Sequence, residues 1–163
     1  MFAHTAWAAE ACAPHIDSVR AVRATAGAGP EAPPPIDGWQ PVTLPDHWAR
    51  RWPGFEGIVW YRIDWQRPCA GRDDAPQLGV AFDYLSMAGA ISLNDNLLWR
   101  DASLVEPLSR TWNSPRVFFL PAAALNPGTN TLWVQVVGGS MYGSGLGRVV
   151  LGTADAAVAY HDE

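Results

Sequence analysis

The side chains best suited to chemistry fall in loops, and they are rings and guanidinium groups rather than nucleophiles. Arg50, Arg51, Trp52 and Phe55 belong to one run, Leu44 to Trp65 (LPDHWARRWPGFEGIVWYRIDW), that holds four of the nine Trp and three of the eleven Arg. Tyr84 follows a strand-like segment, Trp112 and Asn113 lie in a longer loop, and Tyr142 sits in a Gly-rich one. Aromatic faces beside Asp, Asn or Arg suit a sugar, which presents apolar C–H faces and rings of hydroxyls. The forked guanidinium groups of Arg50 and Arg51 match a carboxylate bidentately. Each feature has a plainer alternative: the rings as lids over a packed core, the two arginines as solvated surface. Trp48, Trp60 and Tyr61 read as structural.

Catalytic constellations are poor by comparison. Glycoside hydrolysis needs two carboxylates flanking the bond. Asp64 and Asp83 are the only acids on clear strand patterns, and Arg62 shares a face with Asp64. A partly buried ion pair from Arg62 to Asp64 or Asp83 is the expectation. Ser140 and Ser144 have no obvious His partner, and the four His (His4, His15, His47 and His161) are scattered, which disfavours metal ligation. Gly143 to Gly147 (GSGLG) lacks the following helix and Lys of a phosphate loop. No catalytic residue, metal or cofactor is expected.

These loops must be held by short strands. Val59, Tyr61, Ile63 and Trp65 alternate with Trp60, Arg62 and Asp64, a half-buried strand. Leu132, Val134 and Val136 alternate with Thr131, Trp133 and Gln135 in the same way. Leu78 to Tyr84 alternates too, and residues 88–93 and 97–100 flank the turn-prone Asn94-Asp95-Asn96 as a hairpin. Residues 116–120 and 148–151 read as short strands, and residues 16–25 as a weak one. Pro121 opens a single helical turn, Gly27 to Gly38 is an irregular Pro-rich connection, and residues 154–163 are a short helix or a frayed tail. About eight short strands with no long helical period predict an all-β sandwich or jelly roll. The expected organisation is an N-terminal leader or arm (1–15), one jelly-roll domain (16–152) and a C-terminal tail (153–163) leading to further segments.

Composition narrows the class. The 163 residues are 48% hydrophobic and 17% charged, with a net charge of −5 and no Lys. A thin acidic charge without a basic run argues against nucleic acid as a partner. Residues 1–11 read either as the small-residue end of a secretory signal or as an ordinary leader. Cys12 and Cys69 share no metal spacing; they are a disulfide if the chain is exported, or otherwise two partly buried thiols.

Three ordered pieces resemble the β-sandwich sugar-binding-type domain of β-galactosidase and β-glucuronidase relatives. They are Leu44 to Trp48 (LPDHW) with Gly57 to Arg62 (GIVWYR), Phe82 to Asp95 (FDYLSMAGAISLND), and Leu125 to Val136 (LNPGTNTLWVQV). Asp95 stands where that family usually has Gly. The resemblance implies a galactose-binding-like jelly roll whose catalytic carboxylates, in that family, lie on a separate barrel. Trp52 to Arg62 and Gly145 to Gly152 are closer to the periplasmic sensory domains of bacterial histidine kinases and diguanylate cyclases. That likeness implies a non-catalytic, extracytoplasmic sensor of a small molecule or carbohydrate, with membrane helices and an output domain in the parent chain. Ligand would then bias two packings of the domain or two arrangements of a homodimer. The alternatives are a carbohydrate-binding accessory module of a glycoside hydrolase, and a structural β-sandwich for protein contact. The expected ligand-binding set is Arg50, Arg51, Trp52, Phe55, Tyr84, Trp112, Asn113 and Tyr142.

Overall fold

The computed structural model describes residues 12–110 and 113–163. The alternating segments become the two longest strands, β4 (Gly57–Arg67) and β10 (Gly128–Gly138), paired antiparallel along their whole length. Around them stand β1 (His15–Arg23), β2 (Gln40–Pro41), β7 (Ala88–Leu93) and β8 (Asn96–Arg100). The six form one sheet in the order β2-β1-β4-β10-β7-β8. Two short sheets complete the sandwich. One is β12 (Val149–Thr153), β5 (Leu78–Phe82) and β9 (Arg116–Leu120). The other is β3 (Asp46–His47), β11 (Gly145–Leu146) and β6 (Leu85–Ser86), strands too short to carry a period in the sequence.

All three sheets contribute to one core. Tyr61, Ile63 and Trp65 of β4 meet Leu132 and Val134 of β10, Val80 and Phe82 of β5, Leu85 of β6 and Leu146 of β11. Fully burying a side chain of this kind contributes ~1.5–3 kcal/mol, so this layer sets the fold. The chain is an all-β sandwich, as its strand pattern predicts.

The outer face of the large sheet is covered as well. Gln135 donates from Nε2 to the Pro30 carbonyl at 2.9 Å, and Trp39 meets Trp133 edge-on at 5.9 Å. The Pro-rich connection therefore straps that face and buries Gln135, which the alternation assigns to an outward position. Arg62 pairs with Asp64 at 3.1 Å, and Arg20 reaches the other oxygen at 3.0 Å. Asp83, the other partner considered for Arg62, instead accepts from the Tyr160 hydroxyl at 2.7 Å.

Three local features complete the frame. Cys12 and Cys69 form a disulfide that ties the N-terminal arm to the loop after β4. The helical turn α1 (Trp48–Arg51) follows β3 directly. Residues after β12 form a helix, α2 (Ala154–His161), rather than a frayed end. Thr153 caps it by accepting from the Ala156 N–H at 3.2 Å, and Ala157 is buried where the helix lies on the β12-β5-β9 sheet.

Candidate functional site

Strand β3 divides the Leu-Pro-Asp-His-Trp run between two faces. Asp46 turns inward, 5% exposed. It accepts from the Tyr61 hydroxyl at 2.7 Å and from Arg51 at 3.0 Å, while the Trp48 indole donates to the Tyr61 oxygen at 3.1 Å. Burial, and then the Asp46 carboxylate, push the Tyr61 hydroxyl far above the usual phenol range, so it stays a proton donor. The third motif is locked in the same manner. Asn130 accepts from the Asn126 N–H at 2.7 Å and from the Asn94 amide at 2.9 Å, and Asn94 accepts from the Thr131 N–H. Asn94, not Asp95, takes the positive φ of the hairpin, at 52°, so a non-glycine residue is tolerated at 95.

His47 turns the other way, into a cleft. In the small sheet it pairs with Gly145, which pairs in turn with Ser86. A Cβ on Gly145 would fall 2.0 Å from the Asp46 carbonyl oxygen, so only glycine lets β3 and β11 approach this closely. The cleft, about 500 Å³, is walled by Asp83 and Tyr84 from the β5–β6 connection, Asn113 from the long loop, and Tyr142 and Gly143 from the β10–β11 loop. Ser144 closes that last loop by accepting from the Gly139 N–H at 2.9 Å, and the Ser86 hydroxyl donates to the Tyr142 carbonyl at 3.3 Å.

The His47 and Tyr84 rings lie nearly parallel, 24° apart with centroids at 6.3 Å. Tyr84 packs so closely over Gly147 that a Cβ there would come within 2.7 Å of the ring. Partial burial, then the Asp83 and Asp46 carboxylates, raise the Tyr84 hydroxyl, which keeps it a neutral donor. Asp83 uses one oxygen for Tyr160, and the second takes no hydrogen bond from the described residues. Tyr142 donates to Glu106 at 3.1 Å. The cleft thus offers aromatic faces together with a hydroxyl, an amide and a half-used carboxylate.

The structure sorts the expected site residues into separate places. Tyr84, Asn113 and Tyr142 meet in this cleft. Arg50 and Arg51 line another groove, of about 620 Å³, that shares His47 with the cleft. Arg51 is held by Asp46, whereas Arg50 is exposed and forms no ion pair among the described residues. Trp52 and Phe55 lie apart, on a third cavity beside Val22 and Arg23. Trp52 is only 9% exposed and packs on Phe55 at 6.1 Å, with the Arg23 guanidinium 5.4 Å from its ring. Both rings pack on each other and near Arg23 while lining that cavity. Trp112 lies outside the described residues. His47, Asp83 and Ser86 join the cleft without having been expected there; the one sequence signal for His47 is its alternation with the inward Asp46. Among the described residues no group of three or more His, Cys, Asp or Glu is placed to hold a metal.

No protein-family model matches the chain, and no curated protein matches it. Solved structures do. A glycosyl hydrolase family 2 member from Bacteroides cellulosilyticus aligns over 86% of this chain at 16% identity, with a TM-score of 0.59. A beta-glycosidase from Bacteroides vulgatus aligns over 84% at 18% identity, with a TM-score of 0.58. A family 35 carbohydrate binding module from Clostridium thermocellum gives a TM-score of 0.37, too low to show a shared fold. The chain spans 20% of the length of each glycosidase. The molecule therefore shares its all-β sandwich fold with one part of those glycosidases.

Proposed function

We propose that this domain is a non-catalytic carbohydrate-binding module that works beside other domains of a larger protein. The observation that carries the reading is the cleft in which the stacked His47 and Tyr84 rings face Asp83, Asn113 and Ser86. A sugar would lay its C–H face on a ring and direct hydroxyls at the amide, the carboxylate and the Ser86 oxygen. The likeness of fold to parts of two glycosidases supports this role over that of a sensor. Among the described residues one carboxylate lines the cleft, whereas glycoside hydrolysis uses two, which supports a binding rather than a cleaving role. The disulfide suits an oxidising, extracytoplasmic compartment. The membrane helices, output domain and homodimer that the signalling resemblance implies belong to the other reading, in which the same cleft would serve as a sensor.

Titration calorimetry of the intact chain against a panel of neutral and acidic saccharides tests the proposal. Binding that weakens at least tenfold in Tyr84→Ala, with the unfolding midpoint held, supports it. Equal affinity in Tyr84→Ala and the parent would overturn it.

A further inference from the structure

Two further clefts each share a lining residue with the His47–Tyr84 cleft. The groove at Arg50 shares His47 with the His47–Tyr84 cleft. That cleft shares Tyr142 with a further cavity of about 460 Å³, bounded by Glu56, Leu104, Glu106 and Gly139. Each cleft alone has the volume of a small-ligand pocket, ~300–1,000 Å³, so one sugar unit leaves its neighbours empty. A ligand that fills all three must be a chain, and it must pass His47 and Tyr142 in turn.

The ends of this run differ in charge. Arg50 is exposed and makes no ion pair among the described residues, while Arg51 beside it is already engaged by Asp46. At the opposite end Glu56 lies against Gly139, and Glu106 takes the Tyr142 hydroxyl. Arg110 also acts on Tyr142 but is outnumbered there by the two glutamates, so an anionic unit is favoured at the first end over the second, which gives a bound chain a direction. Building on the carbohydrate-binding reading, we propose that the three clefts form one groove for a linear oligosaccharide of at least three units, with a uronic-acid carboxylate held by Arg50.

A glycan array of neutral and uronate-containing saccharides, one to four units long, followed by calorimetry on the hits, tests the groove. The expected result is an affinity that rises ~tenfold or more from the monomer to the trimer of a uronate series. Arg50→Gln weakens the acidic trimer ~tenfold and leaves a neutral trimer within about twofold, because only the charge-assisted contact is lost. Val105→Glu, on the wall of the Glu56–Glu106 cavity and not of the His47–Tyr84 cleft, removes the gain with length and spares the monomer. Both positions are exposed, so unchanged unfolding midpoints confirm that the variants fold. A monomer that binds as tightly as its trimer, or an Arg50→Gln variant that treats acidic and neutral trimers alike, overturns the groove while leaving the cleft's own role standing. An array with no binder at all overturns both.

Discussion

Asp46 and His47 are consecutive residues of one two-residue strand, and they serve opposite ends. Asp46 is sealed in a corner where Tyr61, Trp48 and Arg51 surround it with hydrogen bonds. His47 stands in the open cleft with its ring along Tyr84. The Leu-Pro-Asp-His-Trp and Trp-Tyr-Arg pieces that make the sequence recognisable lie mostly on the sealed side. The Asn94–Asn130 lock does the same for the hairpin piece and the last one. The pieces that carry the sequence resemblance are therefore chiefly polar locks that hold this fold. The groups open to a ligand lie one residue away, or in loops.

That contrast predicts which changes cost stability and which cost binding. The largest effect should come from a bond on neither face. Cys12–Cys69 closes a loop across a sequence separation of 57, which restricts the unfolded chain by about 4 kcal/mol. Reduction, or Cys69→Ser, should lower denaturant stability by about that amount while leaving saccharide affinity unchanged under native conditions. A loss of binding without a loss of stability would contradict the separation.

Next comes the pair that defines the comparison. Asp46→Ala strands the Tyr61 hydroxyl and the Arg51 guanidinium, and should destabilise by about 3 kcal/mol in chemical denaturation. His47→Ala removes a side chain that makes no hydrogen bond among the described residues, and should cost about 0.5 kcal/mol or less while weakening saccharide binding. Equal destabilisation by the two would break the distinction between faces.

The smallest effect concerns the outer face of the large sheet. Burial pulls the Asp64 carboxyl upward, but hydrogen bonds from Thr131, Arg62 and Arg20 outweigh it and hold the group below the ordinary aspartate range. A carboxyl lowered on folding contributes stability that is present above its unfolded value, ~4, and is lost as pH falls through the folded one. Thermal stability should therefore decline as the pH drops below about 4, and Asp64→Asn should flatten that part of the profile.

How far the sequence could be read follows from the same geometry. Strands β4 and β10 were plain because one face meets the core and the other carries Arg62, Asp64 and Thr131. Strand β1 was faint because Ala21 and Val22 are both buried: one faces the core and the other lies under the connection that follows. That covering breaks the alternation, as it does at Gln135. The rings at 84 and 142 and the amide at 113 were legible as loop groups able to meet a ligand. Trp52 was not separable from them, since a loop tryptophan that packs on Phe55 has the same signature as one that binds.

Local chemistry along the chain determined the alternating strands and the turn at Asn94, because periodicity and backbone sterics act over a few residues. Only the tertiary structure decided the cleft. His47, Gly145 and Ser86 form one row across strands separated by 39 to 98 residues in the chain, and the pairing that aligns them leaves no local trace. The same folding turned Trp52 into a corner and left Arg50 in the open, because burial is a property of the closed sandwich and not of the residue that enters it.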